Sequence, residues 1–247
     1  MPSAAPPALV LCLPGALLDP AQFAPQRERL APAIAVVGYD YAAAIVADGC
    51  TFTIETAAQL VVQRIEREPD HRRIALCGHS LGGMVALLAA RELGERGLGE
   101  RLTGLMLLET SYGPAAEGWA RWLVPPVRTA IAATPWRAIR QAIVREHGRR
   151  SVRARDYLRA ALPVEPPPGW RGIVDAALRF DGRDALASIR VPTLVAVGER
   201  HRWTHTQART MTQRVPWAEL RTVPDAGHMA NLDAPDAVSG MMAELAR

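Results

Sequence analysis

Short, continuously apolar runs alternate along this chain with longer segments whose apolar residues recur at helical spacing. Runs such as 105–108 and 194–197 are apolar at every position, which is typical of strands covered on both faces. The pattern predicts strands at residues 8–13, 34–39, 73–77, 102–108, 193–198 and 219–223. It predicts helices at residues 56–67, 81–93, 207–215 and 235–245. This alternation indicates an α/β fold, a mostly parallel sheet with helices on both faces.

The segment between the fourth and fifth predicted strands differs in composition, being rich in Pro, Trp and Arg. Proline clusters separate helical patterns at residues 119–123, 127–133, 136–146 and 152–162. An insertion at this point of a parallel sheet would lie over the carboxyl ends of the strands, where such folds bind ligands. We therefore expect an α/β core made of residues 1–111 and 181–247, with residues 112–180 forming a small helical lid.

Residues 78–83 read Gly-His-Ser-Leu-Gly-Gly and lie where a predicted strand meets a predicted helix. This is G-x-S-x-G in the strand–turn–helix context that its chemistry needs. A sharp turn lifts the hydroxyl of Ser80 above the sheet, and glycines at 78 and 82 avoid side-chain clashes there. The helix directs free N–H groups to the same point. The motif predicts Ser80 as a nucleophile; a purely structural glycine turn is the alternative.

Residues 227–235 read Gly-His-Met-Ala-Asn-Leu-Asp-Ala-Pro, a match to G-H-x-x-x-x-(E/D)-x-P. With the serine motif and the run Leu-Pro-Gly-Ala at 13–16, this segment makes the chain resemble the α/β-hydrolase superfamily over nearly its whole length. The resemblance implies that His228 is the general base that removes the proton of Ser80.

The resemblance also implies an oxyanion hole formed by the backbone N–H groups of Ala16 and Leu81. In this chain Pro14-Gly15 replaces the His-Gly that usually begins the loop after the first strand. An ordinary tight turn is the alternative interpretation of this loop.

The third member of the expected triad departs from the pattern. The superfamily usually places an Asp after the penultimate strand in a segment like G-x-x-D, but here that segment ends in His201. An imidazole cannot replace a carboxylate that orients the base. We expect Glu109, which follows the strand at 102–108, to supply the carboxylate, as happens in some superfamily members. Glu199 and Asp225 are alternatives, and a site without a functional acid is another.

Charge is unevenly distributed, and every basic residue is arginine. Residues 117–171 contain 11 Arg and 4 acidic residues, a balance of +7, so the formal charge of +4 leaves −3 for the rest. Solvated helix faces explain such a distribution, and so does attraction of an anionic substrate. No nucleic-acid motif accompanies the arginines. The tryptophans of this segment suit either an acyl pocket or packing: Trp119, Trp122, Trp136 and Trp170.

Three cysteines without C-x-x-C spacing argue against a disulfide framework and against structural zinc, and favour a cytoplasmic location. Residues 1–18 lack the basic start of a secretory leader, and no run is long enough to span a membrane.

The sequence as a whole therefore predicts a carboxylesterase- or thioesterase-like serine hydrolase that acts on a small to medium acyl substrate. Carbon–carbon bond hydrolases, lactonases and perhydrolases share the same serine machinery. The alternative is a ligand-binding or scaffolding protein with weak or no turnover, which His201 at the acid position motivates. No residue pattern calls for a metal or an organic cofactor, and the oligomeric state stays open.

Overall fold

The computed structural model describes residues 7–47, 49–69, 72–116, 118 and 120–247. Six strands form one sheet, in which every neighbouring pair is parallel and the order is β2-β1-β3-β4-β5-β6. Their bounds are β1 Ala8–Leu13, β2 Ile34–Gly38, β3 Ile74–His79, β4 Leu102–Leu108, β5 Thr193–Gly198 and β6 Ala218–Val223. The predicted α/β architecture is confirmed, and each strand lies within two residues of its predicted bounds.

The register of the sheet determines which loops meet. Leu13 pairs with Gly78, and His79 pairs with Leu108, so β1, β3 and β4 end side by side. The loops that follow these strands begin with Pro14, Ser80 and Glu109. Parallel pairing therefore brings three of the predicted functional segments to one edge of the sheet.

Twelve α-helices surround the sheet in the described part of the chain. Those near the first three strands are α1 Ala24–Leu30, α2 Tyr41–Ala47, α3 Ile54–Glu66 and α4 Leu81–Glu95. Those between β4 and β5 are α5 Val124–Ala133, α6 Trp136–His147, α7 Val152–Ala161, α8 Trp170–Arg179 and α9 Arg183–Leu186. The remainder are α10 His205–Arg214, α11 Ala230–Asp233 and α12 Pro235–Leu245. None of the described helices is long and apolar enough to cross a bilayer.

Alternate residues of the strands face two separate apolar layers. Leu9 and Leu11 of β1 pack with α3, α4 and α10, whereas Val10 and Cys12 pack with α12. Because both faces are covered, the strands are apolar at nearly every position, as the sequence indicated.

A third apolar cluster joins the segment between β4 and β5 to the core. Trp136 of α6 and Trp170 of α8 are buried with ring centroids 5.2 Å apart, and they pack near Leu232 of α11. These two tryptophans therefore have a packing role. Trp122 is instead 71% exposed, and Trp119 lies outside the described residues.

The predicted elements of this segment need two corrections. The helix predicted at 119–123 is only a short 3-10 turn, Ala120–Trp122, in the described residues. Helix α8 was not predicted at all, because it follows three prolines and Gly169, and Gly169 has a left-handed conformation (φ 69°).

Four short helices elsewhere in the chain were also missed. Helices α1, α2, α9 and α11 have only four to seven residues each. Such short helices give too little periodicity for recognition.

Candidate active site

Ser80 occupies a sharp turn between β3 and α4. Its φ of 53° and ψ of −120° are rare for a residue with a side chain, and its N–H donates to the carbonyl of Leu108 at 3.0 Å. A Cβ on Gly78 would lie 2.2 Å from the carbonyl oxygen of Gly82. The two glycines of the motif are thus required by close backbone contact, as the sequence predicted.

The loop after β1 lies directly against this turn. A Cβ on Gly82 would lie 2.2 Å from the carbonyl oxygen of Leu13. The N–H groups of Ala16 and Leu81 have no hydrogen-bond partner among the described residues. Two free donors therefore stand on the two segments that meet beside Ser80, which is what an oxyanion hole requires.

His228 lies in the loop between β6 and α11, and Asp233 shapes this loop. The Asp233 carboxylate accepts hydrogen bonds from the N–H of Gly227 at 2.8 Å and from the hydroxyl of Ser151 at 2.8 Å. Ser151 caps α7, so the same carboxylate also joins the loop to the segment between β4 and β5. This gives a physical reason for the acidic residue in the motif at 227–235.

The residue before Ser80 holds the backbone of His228. His79 is fully buried, and its Nε2 lies 2.8 Å from the carbonyl oxygen of His228. Because a carbonyl can only accept, this nitrogen carries the proton. Burial lowers the pKa of His79 to about 3, so the imidazole is neutral at pH 7. Sequence analysis assigned no role to His79.

Buried amides connect the loop after β1 to the loop that carries His228. The side-chain oxygen of Gln22 accepts from the N–H of Gly15 at 3.2 Å. The backbone oxygen of Gln22 accepts from the side-chain amide of Asn231 at 2.7 Å. Gln26 donates to the backbone oxygen of Asn231 at 2.7 Å. All three side chains are fully buried. This network was also not predicted, since its members are 205 and 209 residues apart in sequence.

Glu109 is buried at the end of β4 and, like Ser80, has a positive φ (50°). Its Oε1 accepts from the N–H of Gly198, and its Oε2 lies 2.5 Å from Nδ1 of His201 and 3.5 Å from Nδ1 of His228. Burial raises the pKa of Glu109, but the two imidazoles outweigh burial and bring it to about 2. The side chain is therefore a carboxylate at pH 7.

The structure brings Glu109, His201 and His228 together, and it places the two alternative acids elsewhere. Glu199 is exposed and accepts from the N–H of Asp225 at 2.9 Å. Asp225 is exposed and pairs with Arg200. Neither carboxylate turns toward His228.

Four imidazoles gather at this edge of the sheet. The ring centroid of His228 lies 4.4 Å from that of His147, 4.7 Å from that of His201 and 4.8 Å from that of His79. Burial is the largest cause that lowers the pKa of His147 and of His228, each to about 4. His147 comes from the end of α6, and no sequence signal connected it to this site.

The structure connects Ser80 to His228 through the neighbouring residue His79. Among the described residues, no hydrogen bond joins the Ser80 hydroxyl to an imidazole, and Nδ1 of His228 is buried without a hydrogen-bond partner. The bond from His79 to the His228 carbonyl nevertheless brings the loop of His228 to the turn that carries Ser80.

Several cavities are lined by residues between β4 and β5, and two of them differ clearly in chemistry. One of about 630 Å³ is mostly apolar and is lined by residues that include Ser111, Leu123, Val127, Leu178, Trp203 and Thr204. Thr204 of this lining donates to Glu109 at 3.2 Å, whereas Ser80 and His228 are not among the described residues that line the cleft. The other, of about 540 Å³, lies between α6 and α7 and includes Arg140, Arg145, Arg149, Arg155 and Arg159 in its lining.

Comparison with known proteins identifies the family of the chain. Residues 10–240 match the model of the alpha/beta hydrolase family. No curated protein matches the sequence. Among solved structures, a thermophilic esterase from Thermogutta terrifontis (malate bound) has a TM-score of 0.75 at 22% identity, covering 96% of this chain and 88% of its own.

An enol-lactonase from Burkholderia xenovorans LB400 has a TM-score of 0.76 at 20% identity, covering 98% of this chain and 92% of its own. MenH from S. aureus has a TM-score of 0.78 at 17% identity, covering 96% of this chain and 92% of its own. At such identities the similarity shows a shared fold. The match of the family model to nearly the whole chain, together with this fold, shows that the chain belongs to the alpha/beta hydrolase family, a family of hydrolases.

Proposed function

We propose that this hydrolase cleaves an ester or thioester of a small to medium acyl group through an acyl-serine intermediate. The observation that carries the proposal is the positive-φ turn at Ser80, which stands beside two backbone N–H groups without partners. A strained turn of this kind costs free energy and persists where function requires it. The esterase and the lactonase among the similar folds support the same class of reaction.

In the proposed reaction, His228 removes the proton of Ser80 while the serine oxygen attacks the substrate carbonyl. The imidazolium then returns the proton to the leaving alcohol or thiol, and water repeats the two steps on the acyl-enzyme. Neutral His228 can accept a proton at pH 7, since burial holds its pKa near 4. Catalytic hydrogen bonds in unliganded sites are often long. Rotation about the Cα–Cβ bond of Ser80 changes the distance between its hydroxyl and the imidazole of His228.

The N–H groups of Ala16 and Leu81 stabilise the oxyanion of the tetrahedral intermediate. Leu81 is the first residue of α4, so the positive end of the helix dipole adds to its N–H group. Loss of one such donor typically lowers the rate by roughly 10²–10³-fold.

Glu109 is the proposed acid. It is a buried carboxylate whose Oε2 lies 3.5 Å from Nδ1 of His228, and it stabilises the imidazolium that forms during attack. A small inward movement of His228 closes this distance to a normal hydrogen bond. The bonds from Gly198 and Thr204 hold the carboxylate in place.

The two cavities support a substrate with an apolar body and an anionic end. The apolar cleft beside Thr204 suits an acyl chain, and we propose that residues 112–180 act as a lid over it. The arginine groove between α6 and α7 suits a carboxylate or phosphate. Arg145 is exposed there and has no ion-pair partner in the described part of the chain.

The three cysteines, which form no disulfide among the described residues, support a cytoplasmic location for this reaction. Cys12 and Cys77 are buried, Cys50 is exposed, and none forms a disulfide. Reduced thiols of this kind are typical of that compartment.

Labelling with a fluorophosphonate tests the proposal, because this reagent phosphonylates an activated serine. We expect rapid labelling of the wild type and none of Ser80→Ala. If the folded wild type is not labelled, the chain is a ligand-binding or scaffolding member of the family. A series of p-nitrophenyl esters, with a coenzyme A thioester beside them, then identifies the acyl length and the leaving group. An anionic substrate predicts that salt and Arg145→Gln both lower kcat/KM.

A further inference from the structure

The cluster around Glu109 contains more imidazoles than a triad uses. Four of the six histidines of the chain meet there, although they come from β3, α6 and the loops after β5 and β6. Glu109, His201 and His228 each offer one ligand atom, and these atoms all lie within 4.8 Å of one another.

We propose that Glu109, His201 and His228 form a binding site for Zn²⁺ or a similar divalent transition metal ion, and that the bound ion inhibits the enzyme. Two imidazole nitrogens and one carboxylate oxygen are a ligand set that zinc prefers. In a tetrahedral site with bonds of about 2.0–2.2 Å, ligand atoms lie roughly 3.3–3.6 Å apart. The distances from Oε2 of Glu109, 2.5 Å to His201 and 3.5 Å to His228, need a change of about 1 Å or less to reach that geometry.

The Nδ1 atom of His228 is a second observation that points to a ligand, because it makes no hydrogen bond within the described residues although Oε2 of Glu109 lies 3.5 Å away. This nitrogen is buried and faces Oε2 of Glu109. A buried polar atom of this kind is costly unless something binds it. A metal ion placed between the two side chains would bind both atoms.

The surroundings of the three ligands are already ordered. The N–H of Gly198 binds Oε1 of Glu109 and so leaves Oε2 for a metal. Thr204 donates to Oε2 at 3.2 Å and helps to fix the carboxylate. The ring of His147 lies 4.4 Å from that of His228 and adds a further buried imidazole beside the three ligands.

The ion inhibits the enzyme because it binds Nδ1 of His228. The inhibitory role rests on the proposed function. Catalysis needs a proton on Nδ1 of His228 and a free lone pair on Nε2, so that Nε2 can accept the proton of Ser80. A metal ion binds the lone pair of Nδ1, so the single proton of the neutral ring must move from Nδ1 to Nε2. The general base is then blocked.

Calorimetric titration of the full chain with ZnCl₂ after removal of metals by EDTA tests the binding. The titration uses a Cys50→Ser background, because Cys50 is an exposed thiol that could bind zinc on its own. We expect one site, and we expect His201→Asn to raise its Kd at least tenfold. Asparagine keeps an N–H donor near the position of Nδ1, so the contact with Glu109 survives and the fold is preserved.

The matched control is His205→Asn, since His205 bonds the carbonyl of Gly198 and lies outside the cluster. It should bind zinc like the parent. The same titration on Ser80→Ala should also show the site, so its result does not depend on serine catalysis. Absence of binding, or equal Kd values for the parent and His201→Asn, overturns the site.

Inhibition is measured as fluorophosphonate labelling with and without ZnCl₂. Zinc should slow labelling of the parent at least tenfold, EDTA should restore it, and His201→Asn should need at least tenfold more zinc for the same effect. Zinc binding that leaves labelling of the parent unchanged overturns the inhibitory role.

Discussion

His79 donates its Nε2–H to the backbone carbonyl of His228 across 2.8 Å. The residue next to the proposed nucleophile therefore positions the backbone of the proposed base. Because His79 is fully buried and its pKa is lowered to about 3, the bond persists as a neutral contact over the ordinary pH range. The turn at residues 78–83 thus also fixes the loop of His228.

The first prediction concerns this bond. His79→Phe keeps an aromatic ring but leaves the His228 carbonyl without a donor, which costs about 1–3 kcal/mol for a buried acceptor. We expect a lower midpoint of chemical unfolding together with labelling of Ser80 that is at least several-fold slower at a temperature where the variant is folded. Labelling at the wild-type rate would show that the bond does not position His228.

The second prediction concerns the acid. Glu109→Gln keeps an acceptor for Gly198 but removes the charge that stabilises the imidazolium, so kcat should fall roughly 10³-fold or more. Steady-state ester hydrolysis in the presence of EDTA measures this. Glu199→Gln is the matched control, since that carboxylate is exposed and bonds only the backbone of Asp225 within the described residues; its kcat should stay near the wild-type value. Equal rates for the two variants would remove Glu109 from the mechanism.

The third prediction compares two glycines of α4. Gly82→Ala places a Cβ 2.2 Å from the carbonyl oxygen of Leu13, and backbone atoms cannot rotate away, so we expect a loss of stability of at least about 2 kcal/mol. Gly94→Ala meets no atom within 4 Å on the same helix and should be neutral, or stabilising by about 0.5–1 kcal/mol. Thermal unfolding of both variants checks the comparison; similar melting temperatures would contradict the close contact.

These contacts show why the turn could be predicted from the sequence. Gly78 and Gly82 meet backbone atoms of their own turn and of the adjacent loop, so the requirement for glycine is written into consecutive residues. The strands were predictable for a similar reason, because burial on both faces leaves an apolar run. The proposed acid could be named because β4 lies beside β3.

The histidine cluster could not be predicted, because it depends on tertiary structure. His147 comes from α6, and a helix pattern does not say which way its last residue points. His201 attracted attention only as a departure from the family pattern. The amides of Gln22 and Asn231 meet across 209 residues and belong to no motif. Long-range polar contacts of this kind leave no local signal.

The fourth prediction concerns the buried amides. Asn231→Leu removes the partners of two buried groups of Gln22, its side-chain NH₂ and its backbone oxygen. Each group left without a hydrogen bond costs about 1–3 kcal/mol of stability. The variant should unfold at a clearly lower urea concentration than the wild type. Gln213→Leu replaces an exposed amide on α10 and should change stability by less than about 0.5 kcal/mol. If the two variants were equally stable, the network would have no structural role.

The last prediction concerns the stability of the fold at low pH. Burial raises the pKa of Glu68, but the hydrogen bonds and charges of Arg64 (2.5 Å) and Arg72 (2.6 Å) outweigh it and hold the pKa below 4.5. A carboxyl group whose pKa is lower in the folded than in the unfolded state stabilises the fold at pH values above its unfolded-state pKa. This stability is lost as the pH falls through the folded-state pKa. Glu68→Gln should therefore be less stable than the wild type at pH 7, and its free energy of unfolding should fall less steeply below about pH 4.5. Urea unfolding from pH 7 to pH 3 measures both effects. Glu95→Gln is the control: that side chain is 62% exposed, so its acid dependence should match the wild type. A Glu68→Gln curve parallel to the wild-type curve would show that this pair of ion pairs does not govern acid stability.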